Sequence, residues 1–423
     1  MLPAGWQAHN VEPLAYLSLE GPNAFKLTLK KTSGRWYLYV AQGPGPNAGF
    51  NIVDVTDPRR PVLMKTVIVP NGVGQITHHG NLLIVAQGGA MRAEVLAALR
   101  ADVIPRPELF DSPFEGAAPT RDLATFFDIS DPVDPKKLST WNAPGWATHR
   151  NVYPGGKYAF MSAWVPGFKG QATLVILDVS DPTHPRQVGH WAQPGQADGE
   201  PDRPSPNGYH GPANISSDGK TLTLGYTPSL VTLDIQDITR PRLIGSLEFS
   251  PLAKVGAQAI HTVLPLGNGI VHVNTEPFAG GCGAESLPFA AIVDNREPKD
   301  PKLLSYYPRP VPPPGSGTAS FCDLGGRFGP HNVNGETHLE EAEQPTSTVY
   351  MAYFIAGLRV YDVSTPTNPV EVGWFMPAGK YGSRLGGPKG MEEVFVDTRG
   401  IAYVTNGSEH GLWIVRYFGN RSR

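Results

Sequence analysis

The chain has 423 residues but only two cysteines, Cys282 and Cys322. Two are too few for a disulfide-built scaffold or a cluster of thiolate metal ligands. Both sit in glycine-rich stretches, GGCGAES and SFCDLGG, that flank one repeat, so a single loop-to-loop bridge stays open. No stretch approaches the roughly 18 consecutive apolar residues of a membrane-spanning helix, and the opening MLPAGWQAHNVEPLAY lacks the cationic and apolar regions of an export signal. The expectation is a soluble, cytoplasmic protein without a membrane partner. An excess of one charge is missing too. With 35 Lys+Arg against 38 Asp+Glu the formal net charge is -3, and no basic run exists to attract nucleic acid. There is no G-x-S-x-G, and no glycine loop in the strand–turn–helix setting of a phosphate cradle.

What the chain has in abundance is turn formers. The 48 glycines and 43 prolines make up about a fifth of the residues, above the usual share and below that of disordered chains. They punctuate a repeat: NIVDVTDPRRP from Asn51, TFFDISDPVDP from Thr125, LVILDVSDPTHP from Leu174, VTLDIQDITRP from Val231, AIVDNREPKDP from Ala291 and LRVYDVSTPTNP from Leu358. Each is an apolar run ending in Asp (Asp54, Asp128, Asp178, Asp234, Asp294, Asp362), then a Pro-containing turn, then a second run. The Asp side chain can accept backbone N–H bonds in the turn, which accounts for these residues by turn chemistry alone. A glycine-turn hairpin precedes each copy, as in YPGGKYAFMSAW and SSDGKTLTLGY. Two hairpins per repeat make a four-stranded unit, and repeats of this length stack radially because one twisted sheet cannot bury both faces alone.

The fold predicted is all-β: a seven-bladed β-propeller of four-stranded blades forming a single domain over residues 1–423. Blades start near Asn23, Gly74, Ala147, Gly208, Ala257, Gly329 and Gly390, and residues 10–21 supply the strand that completes blade seven and removes its edge. The copies LVILDVSDP and NIVDVTDP resemble the LVIVD-repeat family of β-propellers, a resemblance that spans essentially the whole chain. It implies architecture and says little of activity.

Of the 12 histidines, His149, His210, His261 and His331 recur at one phase, near the start of the innermost strand. The corresponding stretch holds His78 and His79 in blade two, Glu392 and Glu393 in blade seven, and Phe25 and Lys26 in blade one. Innermost strands line the channel, so imidazoles and an acid should face the axis. Several clustered imidazoles repel if protonated, whereas neutral ones suit Zn, Fe, Cu or Ni. The expected metal ligands are His149, His210, His261 and His331, with Glu276 and Glu393 orienting ligands or moving protons and His78 as a further catalytic base. Arg150 and Asn332, next to ring histidines, are expected to alternate away from the axis. Long segments at 88–123, 165–172, 195–208, 277–289 and 313–328 fall at the same end as a lid or pocket wall, and MRAEVLAALRADV within the first has a helical pattern. The exception is GETHLEEAEQPTS, at the other end. His79, Trp164, Tyr209, Tyr226, Phe354 and His410 are candidates to line a substrate pocket.

The axial histidines are similar in plan to those of carotenoid-cleavage oxygenases, which hold non-haem iron, and of the selenium-binding-protein group of thiol oxidases. That likeness implies an oxidoreductase using Fe or Cu on a small hydrophobic or aromatic substrate. The alternatives are a hydrolase or lyase in which Zn or Mn activates water with Glu393 or His78 as base, and a non-catalytic binding propeller. Oligomeric state is not encoded in any feature of the chain.

Overall fold

The structure, a computed structural model, describes residues 2–3, 5–19, 23–43, 48–88, 117–169, 172–201, 208–249, 258–277, 282, 288–314, 318–377, 390–406 and 411–419. Among these residues seven antiparallel sheets account for nearly all regular structure, with one four-residue 3-10 turn at Phe321–Leu324. The all-β, seven-bladed propeller predicted from the repeats is what the chain adopts. Inner strands begin at Ala24, Gly72, Ala147, Gly208, Gln258 and Met391. In blade six the inner segment is an extended stretch joined to the next strand through a Val333–Met351 bridge.

Apolar packing is distributed between blades. Among the described residues there are seven separate hydrophobic clusters, and each draws on two neighbouring blades, the last joining blade seven to blade one. A sheet packed on both faces needs apolar residues at consecutive positions, and third strands such as Gly49–Asp54 and Thr173–Asp178 are buried throughout. Outer strands such as Val62–Ile68 are largely exposed and mixed in character.

The repeated turn owes its shape to the aspartates. The Oδ1 atoms of Asp54, Asp128, Asp178, Asp234, Asp294 and Asp362 accept the backbone N–H two residues on, at 2.8–3.1 Å. A register shift falls between the third and fourth strands of the first six blades, and such bulges increase strand twist.

Ring closure goes further than expected. Val11–Ser18 pairs with Gly411–Tyr417 as the outer strand of blade seven, as predicted, and Gln7–His9 also pairs with Val370–Met376 as the outer strand of blade six. The predicted helix within 88–123 and the pocket candidate His410 lie outside the described residues.

Candidate metal centre

Inner-strand register brings four histidines to one end of the channel. The backbone amides of His149, His210 and His331 bond the second-strand carbonyls of Ser162, Gly225 and Ala352 at 2.9, 3.1 and 2.9 Å, and Thr262, after His261, pairs with Asn274. The rings follow one another in an arc, with centroids 5.1 Å apart from His149 to His210, 4.2 Å from His210 to His261 and 4.7 Å from His261 to His331. Close blade approach makes this possible. A Cβ on Gly225 would sit 2.2 Å from the Ile260 carbonyl oxygen, so only glycine lets blade four this near to blade five. Ile260 itself has φ of 54°, a conformation costly for a β-branched side chain, immediately before His261.

Glu276, at the end of the second strand of blade five, turns its buried carboxylate into the arc. Its Oε2 lies 3.3 Å from His261 Nε2 and its Oε1 lies 3.5 Å from His331 Nε2. Arg327 holds that carboxylate through Nη2 and donates from Nε to the Pro277 carbonyl at 2.7 Å. The donor atoms of His210, His261 and Glu276 all lie within 4.8 Å of one another. His149 is half-buried at the rim beside Trp164, with ring centroids 6.5 Å apart.

Hydrogen bonds fix which ring nitrogens carry protons. His331 Nδ1 faces the Glu392 carbonyl at 2.6 Å, which only accepts, so Nδ1 donates. The Thr262 hydroxyl donates to the His331 carbonyl at 3.1 Å, so His261 Nδ1 donates to Thr262 Oγ1 at 2.7 Å. The Nε2 lone pairs of both rings therefore face the Glu276 oxygens, acceptor against acceptor. Arg150 Nη1 lies 3.2 Å from both ring nitrogens of His261, of which only Nε2 is an acceptor. His210 Nδ1 is buried without a hydrogen-bond partner among the described residues. Burial holds His210, His261 and His331 well below the usual imidazole range and His149 down to about 3, with neighbouring cationic and imidazole groups adding to the effect.

Further along the axis lies a second buried group. Lys26 from blade one bonds Glu336 at 2.8 Å and approaches Glu393 at 3.3 Å. Burial raises the Glu393 carboxyl; it would lower the Lys26 amine, but Glu336 and Glu393 outweigh it and raise that group. Glu336 and His338 come from GETHLEEAEQPTS, the long segment at the other end, which is anchored to blade seven by the Ala342–Asp397 bridge. His338 Nε2 donates to the His78 carbonyl at 3.2 Å.

Three placements differ from the sequence reading. The inner strand Gly72–His79 ends, rather than begins, at His78 and His79, because the turn at Gly80–Asn81 follows directly. His78 is buried against Thr28, with Nδ1 at 2.7 Å from Oγ1, while His79 faces His338 and Tyr153; neither joins the arc. Arg150 and Asn332 turn toward the site: the strand is irregular after Thr148, which breaks the expected alternation. Glu276 stands among the possible ligands rather than behind them.

The aromatic candidates divide by role. Phe354 stacks on His331 at 4.6 Å, with the Arg327 guanidinium 3.9 Å from its centroid on the ring. Tyr209 and Tyr226 stack at 6.5 Å, and the Tyr226 hydroxyl donates to Gln196, tying a covering loop to blade four. A second tie is the Cys282–Cys322 disulfide, which joins the connection between the second and third strands of blade five to the segment before blade six. Lys26, Arg150, Arg327, Glu336 and His338 were not singled out as site residues; for the last two, the unusual length of their turn was the available signal.

The fold and its axial cluster define a seven-bladed β-propeller with a buried His/Glu group at one mouth. LVIVD repeats are found at residues 33–69, 151–192 and 349–376 of this seven-bladed propeller. No curated protein matches it. Among solved structures it is similar to the Cps50 (Swd1) β-propeller domain of Myceliophteria thermophila, at 10% identity and a TM-score of 0.55, covering 95% of this chain and 98% of that one. Kuenenia stuttgartiensis hydrazine synthase gives 11% identity and 0.54, covering 95% and 97%. A protein from Lactobacillus plantarum gives 11% and 0.52, covering 90% and 88%. At such identities the likeness concerns the fold.

Proposed function

We propose that this protein is a metal-dependent oxidoreductase acting on a small hydrophobic or aromatic molecule, with the metal held by His210, His261 and Glu276 and with His331 beside them. The observation that carries this reading is the convergence of donor atoms of His210, His261 and Glu276 within 4.8 Å, with the Nε2 lone pairs of His261 and His331 turned toward the same carboxylate. Such an arrangement calls for a cation between the groups. Burial disfavours an added proton on either ring, and Arg150 Nη1 reaches His261 but no donor among the described residues reaches His331 Nε2, so a metal ion is the cation that serves both rings and the carboxylate together. Two neutral imidazoles and a carboxylate form the donor set of non-haem Fe(II) sites, so iron is preferred over copper.

When bound, the metal supplies redox chemistry and Lewis acidity. The protein's residues supply order around it. Arg327 fixes Glu276, while Thr262 and the Glu392 carbonyl set the tautomers of His261 and His331, the usual outer support of ligand histidines. His149 and Trp164 stand at the rim where a substrate would enter, and Phe354 backs His331. The hydrolytic reading, with Zn or Mn, ranks second because His78 is remote from the arc and Glu393 is engaged by Lys26, so neither is posed as a base. A binding propeller would hold no metal.

Among the described residues no helix is long and apolar enough to cross a membrane. The Cys282–Cys322 bridge is of the kind that persists in oxidising compartments. It weighs against the cytoplasmic expectation.

Elemental analysis of untagged protein made under metal-replete conditions tests the central reading. About one equivalent of a transition metal is expected. His210→Ala and His261→Ala should each lower that occupancy by tenfold or more while the fold persists. Metal-free wild type, or folded variants at full occupancy, would overturn the assignment.

A further inference from the structure

Arg150 is buried, with 6% of its surface exposed, yet no carboxylate among the described residues lies within 4.0 Å of it. Its hydrogen bonds all run through Nη1, to His261 and to Thr262 Oγ1 at 3.3 Å. Nε and Nη2 donate to nothing described. The neighbouring cations are matched: Lys26 by Glu336 and Glu393, Arg327 by Glu276. Glu393, Glu276 and Glu336 attract Arg150 only from beyond contact distance; a guanidinium keeps its charge even when buried, and a buried charge without a direct counter-ion is costly.

We propose that Arg150 is the anchor for a carboxylate carried by the substrate. This rests on the metal reading above and names the substrate class for it: an apolar or aromatic monocarboxylate, its acid group on Arg150 and its body against the rings at the arc. Charge supports the assignment. Lys26, Arg150 and Arg327 face Glu276, Glu336, Glu392 and Glu393 around the channel, so a divalent ion leaves one positive charge to be matched by a monoanion. Geometry supports it as well. Nη1 reaches His261, one of the possible ligands, so an acid held by the free edge of the same guanidinium sits next to the metal position, and a planar fork with two idle donors suits a carboxylate better than a point charge would.

Calorimetric titration of metal-loaded protein at about 0.15 M salt, with benzoate and phenylacetate against benzamide and phenylacetamide, tests this. At least one acid should bind about tenfold or more tightly than its amide. Arg150→Gln should abolish that preference, and Arg150→Lys should keep part of it. Metal content is read on the same samples. Wild type that holds metal but shows no acid over its amide, or a folded Arg150→Gln with the preference intact, overturns the anchor alone. Protein that prefers acids but binds no metal overturns the metal reading alone. If Arg150→Gln does not fold, the wild-type comparison still decides.

Discussion

Single residues at the axis are held by more than one partner, and their replacement separates positioning from fold. Glu276 takes Arg327 and stands opposite two imidazoles. Glu276→Gln should cut metal affinity tenfold or more, read by competition with a chelator, and Glu276→Asp should fall between. Lys26 behaves differently, because its partners Glu336 and Glu393 are buried with it. Lys26→Met strands those carboxylates and should cost about 3–5 kcal/mol in denaturant unfolding, with metal occupancy retained. His78→Asn tests the corrected placement. It should leave metal content unchanged, since the ring packs on Thr28 and Tyr39 rather than on the arc.

At the level of elements, the glycine contacts between blades four and five set the spacing of His210 and His261. Gly225→Ala pushes against the Ile260 carbonyl; an expected loss of about 1–3 kcal/mol, accompanied by weaker metal binding, would show that blade spacing and the site are one feature. The N-terminal strands act as a clasp on two blades. Deleting residues 1–18 opens the edges of blades six and seven, and the truncated chain should aggregate or lose a sharp thermal transition, seen by light scattering and calorimetry. The segment carrying Glu336 and His338 is an element of another kind, a long turn that sends its polar side chains into the channel from the far end.

For the whole molecule, buried neutral histidines make stability depend on pH. With the folded values depressed below about 6.5, the unfolded chain takes up protons first as pH falls, so stability is full above about 6.5 and declines toward the folded values. At His272, held down to about 4 mainly by burial, that difference is worth about 3 kcal/mol. Glu393 works in the opposite sense, because burial raises its carboxyl. The metal-free protein should therefore lose thermal stability between pH 7 and pH 5, and a flat or rising profile would count against the buried neutral arc. The Cys282–Cys322 bridge closes a loop of 40 residues, worth about 4 kcal/mol by chain entropy. Thiol titration of the denatured protein should find two free thiols only after reduction.

The sequence by itself determined the architecture. Hairpins are local, the Asp and Gly turn residues act on neighbours two or three positions away, and a repeat that cannot bury both faces alone must stack, so Asp54 through Asp362 announced the blades and the phase of His149, His210, His261 and His331 announced the arc. It could not fix what depends on strand register or on approach through space. One irregularity after Thr148 turned Arg150 inward, a place at the end of its strand and not the start sent His78 to the far end, and a distant turn delivered Glu336 to Lys26. A β-strand alternates sides with each residue, so a single slip exchanges axis for interface. Glu276, Arg327 and Arg150 meet the histidines only because separate blades and loops converge, and that convergence is a property of the closed ring.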